Sequence, residues 1–87
     1  MYQDLYSDEI IKKLVKLKKR DPAQHEELKK KILQILENPA HQYKGLRHDL
    51  SGKNRVHLGH FVLVFSIDHQ KKIILFEDYD HHDNIYE

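Results

Sequence analysis

The sequence predicts an α+β fold in which an N-terminal αα-hairpin packs on one face of a small antiparallel β-sheet. Residues 8–38 carry apolar side chains at helical spacing, with lysines between them. Residues 55–76 are rich in Val, Leu, Ile and Phe, alternate with a period of two, and are interrupted by a polar turn. The 87 residues allow one domain, residues 1–87, and a chain of this length buries roughly 60–65% of its extended-chain surface.

Local signals place the two helices. A short first strand is predicted over Tyr2–Tyr6, and Ser7 can cap a first helix over Asp8–Lys19. Asp21-Pro22 marks the start of the second helix, since an acid suits the N-cap and proline suits the first helical position; Gln24 would complete a capping box. Asn38-Pro39 ends this helix, because the residue before a proline disfavours the helical conformation.

The C-terminal half predicts a β-hairpin. Its first strand covers Val56–Ile67, a turn follows at residues 68–71, and the second strand covers Lys72–Phe76. A polar segment over Glu77–Asp83 then leads to Asn84-Ile85-Tyr86. Because a hairpin brings its ends together, we expect the titratable groups at the start of this region and those beyond its end to share one surface.

Composition excludes several classes of function. The net charge is only +1, which is not the basic excess of a strong duplex-DNA binder. The chain has no cysteine, so it has neither a disulfide framework nor a cysteine-based zinc site. Its longest apolar run, Phe61–Phe65, is too short to span a bilayer, and no signal peptide is recognisable, so we expect a cytoplasmic protein without a membrane partner.

Several motifs follow one another in a characteristic order. The αα-hairpin ends in Asn-Pro; LRHDLSG follows at residues 46–52, RVHLGHF at 55–61, a strand at 62–68, and His82 and Tyr86 near the end. Together they resemble the RelE/ParE superfamily of type II toxins, and the ending resembles its archaeal RelE-like branch. The resemblance implies a cytoplasmic toxin that a cognate antitoxin protein neutralises. RelE-like members cleave mRNA in the ribosomal A site without a metal or other cofactor, whereas ParE-like members poison DNA gyrase, and the fold alone does not decide between them.

The resemblance also implies a set of site residues. Metal-free RNA cleavage needs an aligned 2′-oxygen, a base, an acid and positive charge on the phosphate, and histidine suits proton transfer because its ordinary pKa is near 6.5. In the implied roles, Arg55 stabilises phosphate charge, His57 or His82 acts as base and acid, His81 orients a partner group, and Tyr86 stacks on a base or positions the 2′-hydroxyl. The residues that would bind backbone phosphates are Lys44, Arg47 and Lys53.

Two departures from the family pattern keep other functions open. Val62 stands where active relatives often carry a phosphate-binding arginine, and Asp78, Asp80 and Asp83 would repel a phosphate backbone. These features favour a non-enzymatic gyrase inhibitor, or a degenerate homologue that only binds an antitoxin.

Simpler structural roles also remain open. Arg55 could pair with a C-terminal acid, Tyr86 could only pack the tail onto the sheet, and strand periodicity favours a structural role for His60. The acids and histidines of residues 78–83 could alternatively bind a metal, although no recognised ligand spacing is present. Independently of the resemblance, amphipathic helices beside a short sheet edge predict a groove for a partner's helix or strand.

Overall fold

The computed structural model describes residues 1–45 and 52–86 and confirms the α+β class, with two main helices packed on a five-stranded sheet. The elements along the chain are β1 (Gln3–Tyr6), α1 (Asp8–Arg20), α2 (Pro22–Glu37), β2 (Lys44–Gly45), β3 (Asn54–Leu58), β4 (Phe61–Asp68), β5 (Ile73–His81) and α3 (His82–Ile85). No helix within the described part of the chain has the length and apolar character needed to cross a membrane.

Both main helices begin at the residues that the sequence indicates. The Ser7 hydroxyl accepts a hydrogen bond from the backbone N–H of Ile10 at 3.1 Å, and the Asp21 carboxylate accepts one from that of Gln24 at 3.1 Å. The expected capping box is only half formed, because the Asp21 N–H donates to the Leu17 carbonyl at 2.8 Å, while the Gln24 side-chain amide donates to the Tyr79 hydroxyl at 2.8 Å. This hydrogen bond ties the start of α2 to the sheet.

The strand order in the sheet is β1-β5-β4-β3-β2. β1 runs parallel to β5, whereas the other neighbours are antiparallel, so the sheet is mixed rather than wholly antiparallel as expected. The αα-hairpin crosses one face of the sheet and connects β1 to the later strands. The parallel pairing was not predicted, because the alternation of residues in β1 does not show in which direction a partner strand runs.

Two strand boundaries in the C-terminal half differ from the prediction. The single strand expected over Val56–Ile67 is two strands, β3 and β4, joined by a tight turn in which Gly59 has a φ of 63°. Glycine adopts this left-handed conformation without steric cost. In addition, β5 continues through the polar segment to His81, past a bulge opposite Val64/Phe65, instead of ending at Phe76.

The core lies between the αα-hairpin and one face of the sheet. Its buried members are Ile10, Leu28, Ile32, Ile35, Leu36, Leu63, Phe65, Ile74, Phe76 and Tyr79. Val62 and Val64 alternate with the core residues of β4 and are also buried, although they do not belong to this cluster. They lie on the opposite face of the sheet, where α3 contacts β4 and β5.

Candidate functional site

The sheet face opposite the αα-hairpin carries two rows of residues paired across the strands. In the first row, Lys44 of β2 pairs with Arg55 of β3, Arg55 with Val64 of β4, and Val64 with Asp78 of β5. In the second row, His57 of β3 pairs with Val62 and Val62 with Asp80. Because residues directly opposite each other share a face, the sheet places basic, imidazole and carboxylate groups on one surface.

Four of the five residues predicted to be catalytic come together on this surface. The His57 and His82 rings lie 5.7 Å apart, and the His82 and Tyr86 rings 4.6 Å apart, between centroids. The Arg55 guanidinium carbon lies 5.5 Å from the centre of the Tyr86 ring, which also stacks on His57 at 6.5 Å. We refer to Arg55, His57, His82 and Tyr86 as the candidate cluster.

The short helix α3 brings two members of the candidate cluster to the sheet. The His81 ring caps it by accepting a hydrogen bond from the N–H of Asp83 at 3.2 Å, and the N–H of His82 donates to the His60 carbonyl at 2.7 Å. The Asn84 side-chain amide donates to Asp80 at 2.9 Å. The helical turn then returns Tyr86 to the same side as His82, since its N–H donates to the His82 carbonyl at 3.2 Å.

The surroundings of His57 favour its neutral form. Loss of hydration lowers its pKa below the ordinary value of 6.5, and the charges of Arg55, His82 and Lys44 lower it further. A histidine with a lowered pKa is unprotonated near neutral pH, so His57 can accept a proton.

Arg55 is held at the edge of the candidate cluster. Its Nε–H donates to the Gly45 carbonyl at 3.0 Å, which uses one of the five N–H donors of a guanidinium. The acids of β5 that were alternative partners for Arg55 pair with lysines instead: Lys53 lies 3.4 Å from Glu77, and Lys13 binds Asp78 and Asp80. Arg55 is thus oriented by a backbone carbonyl and an aromatic ring.

None of the other predicted site residues that the structure describes belongs to the candidate cluster. His81 stacks on His60 at 6.1 Å and meets Phe61 edge-on at 5.6 Å, outside the candidate cluster. Lys44 is exposed next to Arg55, whereas Lys53 is engaged by Glu77. The predicted RNA contact of Arg47 lies outside the described residues. His60 contributes to the site through its backbone carbonyl, in line with a structural role.

Lys13 of α1 is a component of this surface that the sequence did not single out. Its amino group lies 2.7 Å from Asp78 and 2.9 Å from Asp80. Hydrogen bonds from Lys13 and Asn84 lower the pKa of Asp80 to about 2. Partial burial opposes protonation of Lys13, but the two carboxylates outweigh it and raise the lysine pKa. The sequence showed Lys13 as one of many helix lysines, and only the folded strand edge distinguishes it.

The acids and histidines of residues 78–83 do not gather around a common point. In residues 1–45 and 52–86, no group of three or more His, Cys, Asp or Glu side chains is arranged to hold a metal ion. Asp78 and Asp80 bind Lys13. The His81 ring stacks on His60, whereas the His82 ring stacks on His57.

The Tyr86 hydroxyl is buried without a hydrogen-bond partner among the described residues. Such a group loses its hydration without compensation, which costs about 1–3 kcal/mol. The arrangement of α3 on the sheet therefore contains an unfavourable feature at the candidate cluster.

A second surface feature lies on the other side of the molecule. A groove of about 530 Å³ between α1 and α2, beside β1, is lined mainly by aliphatic side chains. Ile11, Val15 and Leu33 line it and remain about half exposed, at 47%, 54% and 49%. Exposed aliphatic residues that adjoin one another mark an interaction surface more often than scattered ones do.

Sequence comparisons connect the chain to toxins. A family model described as the ParE toxin of the type II toxin–antitoxin system, parDE, matches residues 5–86. A Methanocaldococcus jannaschii protein named "Putative toxin RelE4" is 46% identical over 87 residues, which cover 99% of this chain and 92% of that protein. An uncharacterised protein of Methanosarcina mazei is also 46% identical, over 99% of this chain and its own full length.

Solved structures with a similar fold are RelE toxins. The RelBE2 toxin–antitoxin complex of Mycobacterium tuberculosis matches with a TM-score of 0.75 and 21% identity, covering 92% of this chain and 96% of that one. The intact RelBE toxin–antitoxin complex of Escherichia coli matches with a TM-score of 0.74 and 22% identity, covering 93% and 96%. At this level of identity the likeness concerns the fold.

Proposed function

The chain belongs to the RelE/ParE superfamily of type II toxin–antitoxin toxins, and from this premise we propose that it is a ribosome-dependent mRNA endonuclease that inhibits translation in the cytoplasm by metal-free acid–base chemistry. The observation that supports this function best is the convergence of Arg55, His57, His82 and Tyr86 on one sheet face. A protein that only binds its target has no chemical need for two imidazoles beside a guanidinium, whereas phosphodiester cleavage uses all three.

The candidate cluster allows a division of roles. His57, kept neutral by its lowered pKa, takes the proton from the 2′-oxygen as that oxygen attacks the phosphorus. His82 gives a proton to the leaving 5′-oxygen. The two rings stack with 5.7 Å between their centroids and an interplanar angle of 30°, and in the proposed mechanism each ring serves one of the two oxygens on opposite sides of the phosphorus. Positioned acids and bases contribute roughly 10²–10⁴-fold each to rate.

Arg55 and Tyr86 complete the proposed site. Arg55 stabilises the charge that develops on the phosphate, in place of the arginine that is missing at Val62. Val62 is fully buried opposite His57, so it forms part of the floor of the site. Tyr86 stacks on a nucleobase or binds the 2′-hydroxyl. Because Lys13 pairs with Asp78 and Asp80, these acids repel a phosphate less than the sequence suggests.

Cleavage of mRNA on purified programmed ribosomes in the presence of EDTA tests this function. We expect the wild-type protein to cut, and His57→Ala and Arg55→Ala to lose roughly 10² or more in rate. His69→Ala is the matched control, because His69 lies in an exposed turn with Tyr2 as its partner. Wild-type protein that is folded but does not cut would refute the proposed function, whereas variants that cut at the wild-type rate would refute the roles given to His57 and Arg55.

A gyrase inhibitor is the second candidate. It is favoured by the ParE family match and by valine at position 62. A supercoiling assay with purified gyrase tests this function. Inhibition of supercoiling by a folded protein that does not cleave mRNA would support the gyrase inhibitor.

A cognate antitoxin is the proposed partner in either case. The aliphatic groove between α1 and α2 suits the apolar face of an amphipathic helix, and Lys29 at the groove suits acidic residues beside that face. The similar RelBE structures are described as complexes of toxin and antitoxin. We expect Leu33→Lys to weaken antitoxin binding in calorimetry while leaving the fold intact, whereas Lys30→Met, on the same helix outside the groove lining, should bind normally. Equal affinities for both variants would place the antitoxin elsewhere.

A further inference from the structure

We propose that Lys13 and Asp80 are positioning residues that fix α3, and with it His82 and Tyr86, against His57. This inference rests on the proposed function for its effect on cleavage. Its structural part, the anchoring of α3, stands on the contacts alone.

The first step is the position of Lys13 at an open strand edge. The pairing of β1 with β5 ends at Tyr6 and Phe76, after which Ser7 donates its N–H to the Phe76 carbonyl and its hydroxyl to the Glu77 carbonyl, and α1 begins. α1 therefore flanks the remainder of β5. From there Lys13 reaches both Asp78 and Asp80, and its side chain is only 26% exposed.

The second step is that one carboxylate connects α1 to α3. One oxygen of Asp80 accepts the hydrogen bond from Lys13 at 2.9 Å. The other accepts hydrogen bonds from the Asn84 side chain at 2.9 Å and from the backbone N–H of His81 at 2.7 Å. A rotation of the Asp80 carboxylate would thus disturb the Lys13 contact and the first turn of α3 together.

The third step is that α3 has little stability of its own. It contains four residues, and isolated helices this short do not form in water. Its contacts with the sheet include those of Asp80, the hydrogen bond from His82 to the His60 carbonyl, and the stacking of His82 and Tyr86 on His57. Loss of the Asp80 contacts is expected to free His82 and Tyr86 from their places beside His57.

The fourth step is the electrostatic consequence of losing Lys13. Asp78 and Asp80 lie on the same face of β5, two residues apart, and both carboxylates bind the one amino group. Without that amino group they repel each other, and Asp80 turns away from Asp78 or takes up a proton. Either change alters the carboxylate that holds Asn84.

Hydrogen exchange and ribosomal cleavage measured on the same variants test the proposal. In Lys13→Met we expect the His82 amide to exchange faster by roughly tenfold or more, while the core amides of Phe65 and Phe76 keep their protection. We expect kcat to fall by roughly 10–100-fold with little change in KM, because displaced catalytic groups slow the chemical step more than they weaken binding. Lys13→Arg should restore both values, and Lys12→Met, an exposed neighbour on α1, should match the wild type.

Asp80→Ala provides the second test, since it removes the carboxylate that accepts the hydrogen bonds from Lys13, Asn84 and His81. If either variant leaves the His82 amide protected, α3 is not anchored in this way and the proposal is overturned. If exchange rises but kcat does not change, the positioning role is overturned. If the wild-type protein does not cleave mRNA at all, the proposed function fails, and the exchange rates alone then decide whether Lys13 and Asp80 anchor α3.

Discussion

Removing the hydroxyl of Tyr86 is expected to stabilise the protein. This oxygen is buried and has no hydrogen-bond partner among the described residues, so Tyr86→Phe removes an uncompensated polar group while keeping the ring contacts with His82 and Arg55. A buried unpaired group costs about 1–3 kcal/mol. Because α3 can relax, we expect the lower end of that range, roughly 1 kcal/mol. In a domain of this size that corresponds to a rise in Tm of about 4–8 °C.

Urea unfolding of Tyr86→Phe and Tyr79→Phe side by side measures this effect. Tyr79 is the matched control, because it is also a tyrosine on the sheet but its hydroxyl accepts a hydrogen bond from Gln24 at 2.8 Å. Removing the Tyr79 hydroxyl leaves the Gln24 amide without that acceptor, so the free energy of unfolding should fall by about 1 kcal/mol. The two substitutions should therefore change the free energy of unfolding in opposite directions. A loss of stability in Tyr86→Phe equal to that in Tyr79→Phe would show that the Tyr86 hydroxyl is paired in solution and would refute the reasoning.

The same variant separates two roles for Tyr86 in the proposed cleavage. If α3 moves when the substrate binds, so that the buried hydroxyl reaches the 2′-oxygen, Tyr86→Phe lowers kcat while raising Tm. If the ring only stacks on a base, cleavage persists in Tyr86→Phe and is lost in Tyr86→Leu. A gain in stability together with a loss of rate is the trade-off expected where a site holds an unfavourable group for use in the reaction.

Three further predictions concern the fold. Leu28→Ala should lower the free energy of unfolding by about 2–5 kcal/mol in urea titrations, because Leu28 is fully buried in the core; a loss below about 1 kcal/mol would show that the core collapses around the cavity. Gly59→Ala should lower the free energy of unfolding by roughly 1 kcal/mol, because alanine is strained at a φ of 63°. An added Cβ meets no atom within 4 Å, so no steric clash adds to this cost. An unchanged Tm would contradict that turn geometry. The Asp80 carboxylate has a pKa of about 2 in the fold against an ordinary 3.8, so it contributes stability that is complete above about pH 4 and is lost as the pH falls towards 2. After screening at a side chain that is 31% exposed, this contribution amounts to roughly 1 kcal/mol. If Lys13→Met lost as much stability between about pH 4 and pH 2 as the wild type, Lys13 would not be the cause of the lowered Asp80 pKa.

The sequence predicted the features that depend on neighbouring residues. Ser7 and Asp21 cap the two helices as their residue types indicate. The division of Val56–Ile67 into two strands was missed, because the Gly59-His60 turn is too short to interrupt the apolar pattern on either side. The extension of β5 through acidic residues was missed because Lys13, which binds Asp78, is 65 residues away from it in the chain.

The candidate site was predictable to the extent that it follows the family pattern. Arg55, His57, His82 and Tyr86 occupy positions taken from the resemblance, and they meet on one face. His81 was placed with His82, but adjacent residues at the start of a helix point in different directions, and His81 turns to His60 instead. The roles of all these residues in catalysis stay predictions.

The parallel pairing of β1 with β5 has a consequence for the order in which the protein folds. Gln3 pairs with Ile73, 70 residues further along the chain, so β1 has no strand partner until almost the whole chain has been synthesised. The β3–β4 and β4–β5 pairings join neighbours in sequence and close much shorter loops. The sheet face with the candidate cluster can therefore assemble early, and we expect the docking of β1, the pairing with the largest sequence separation, to be the slow step of folding. Until that step, the edge of β5 remains open to pairing with another chain.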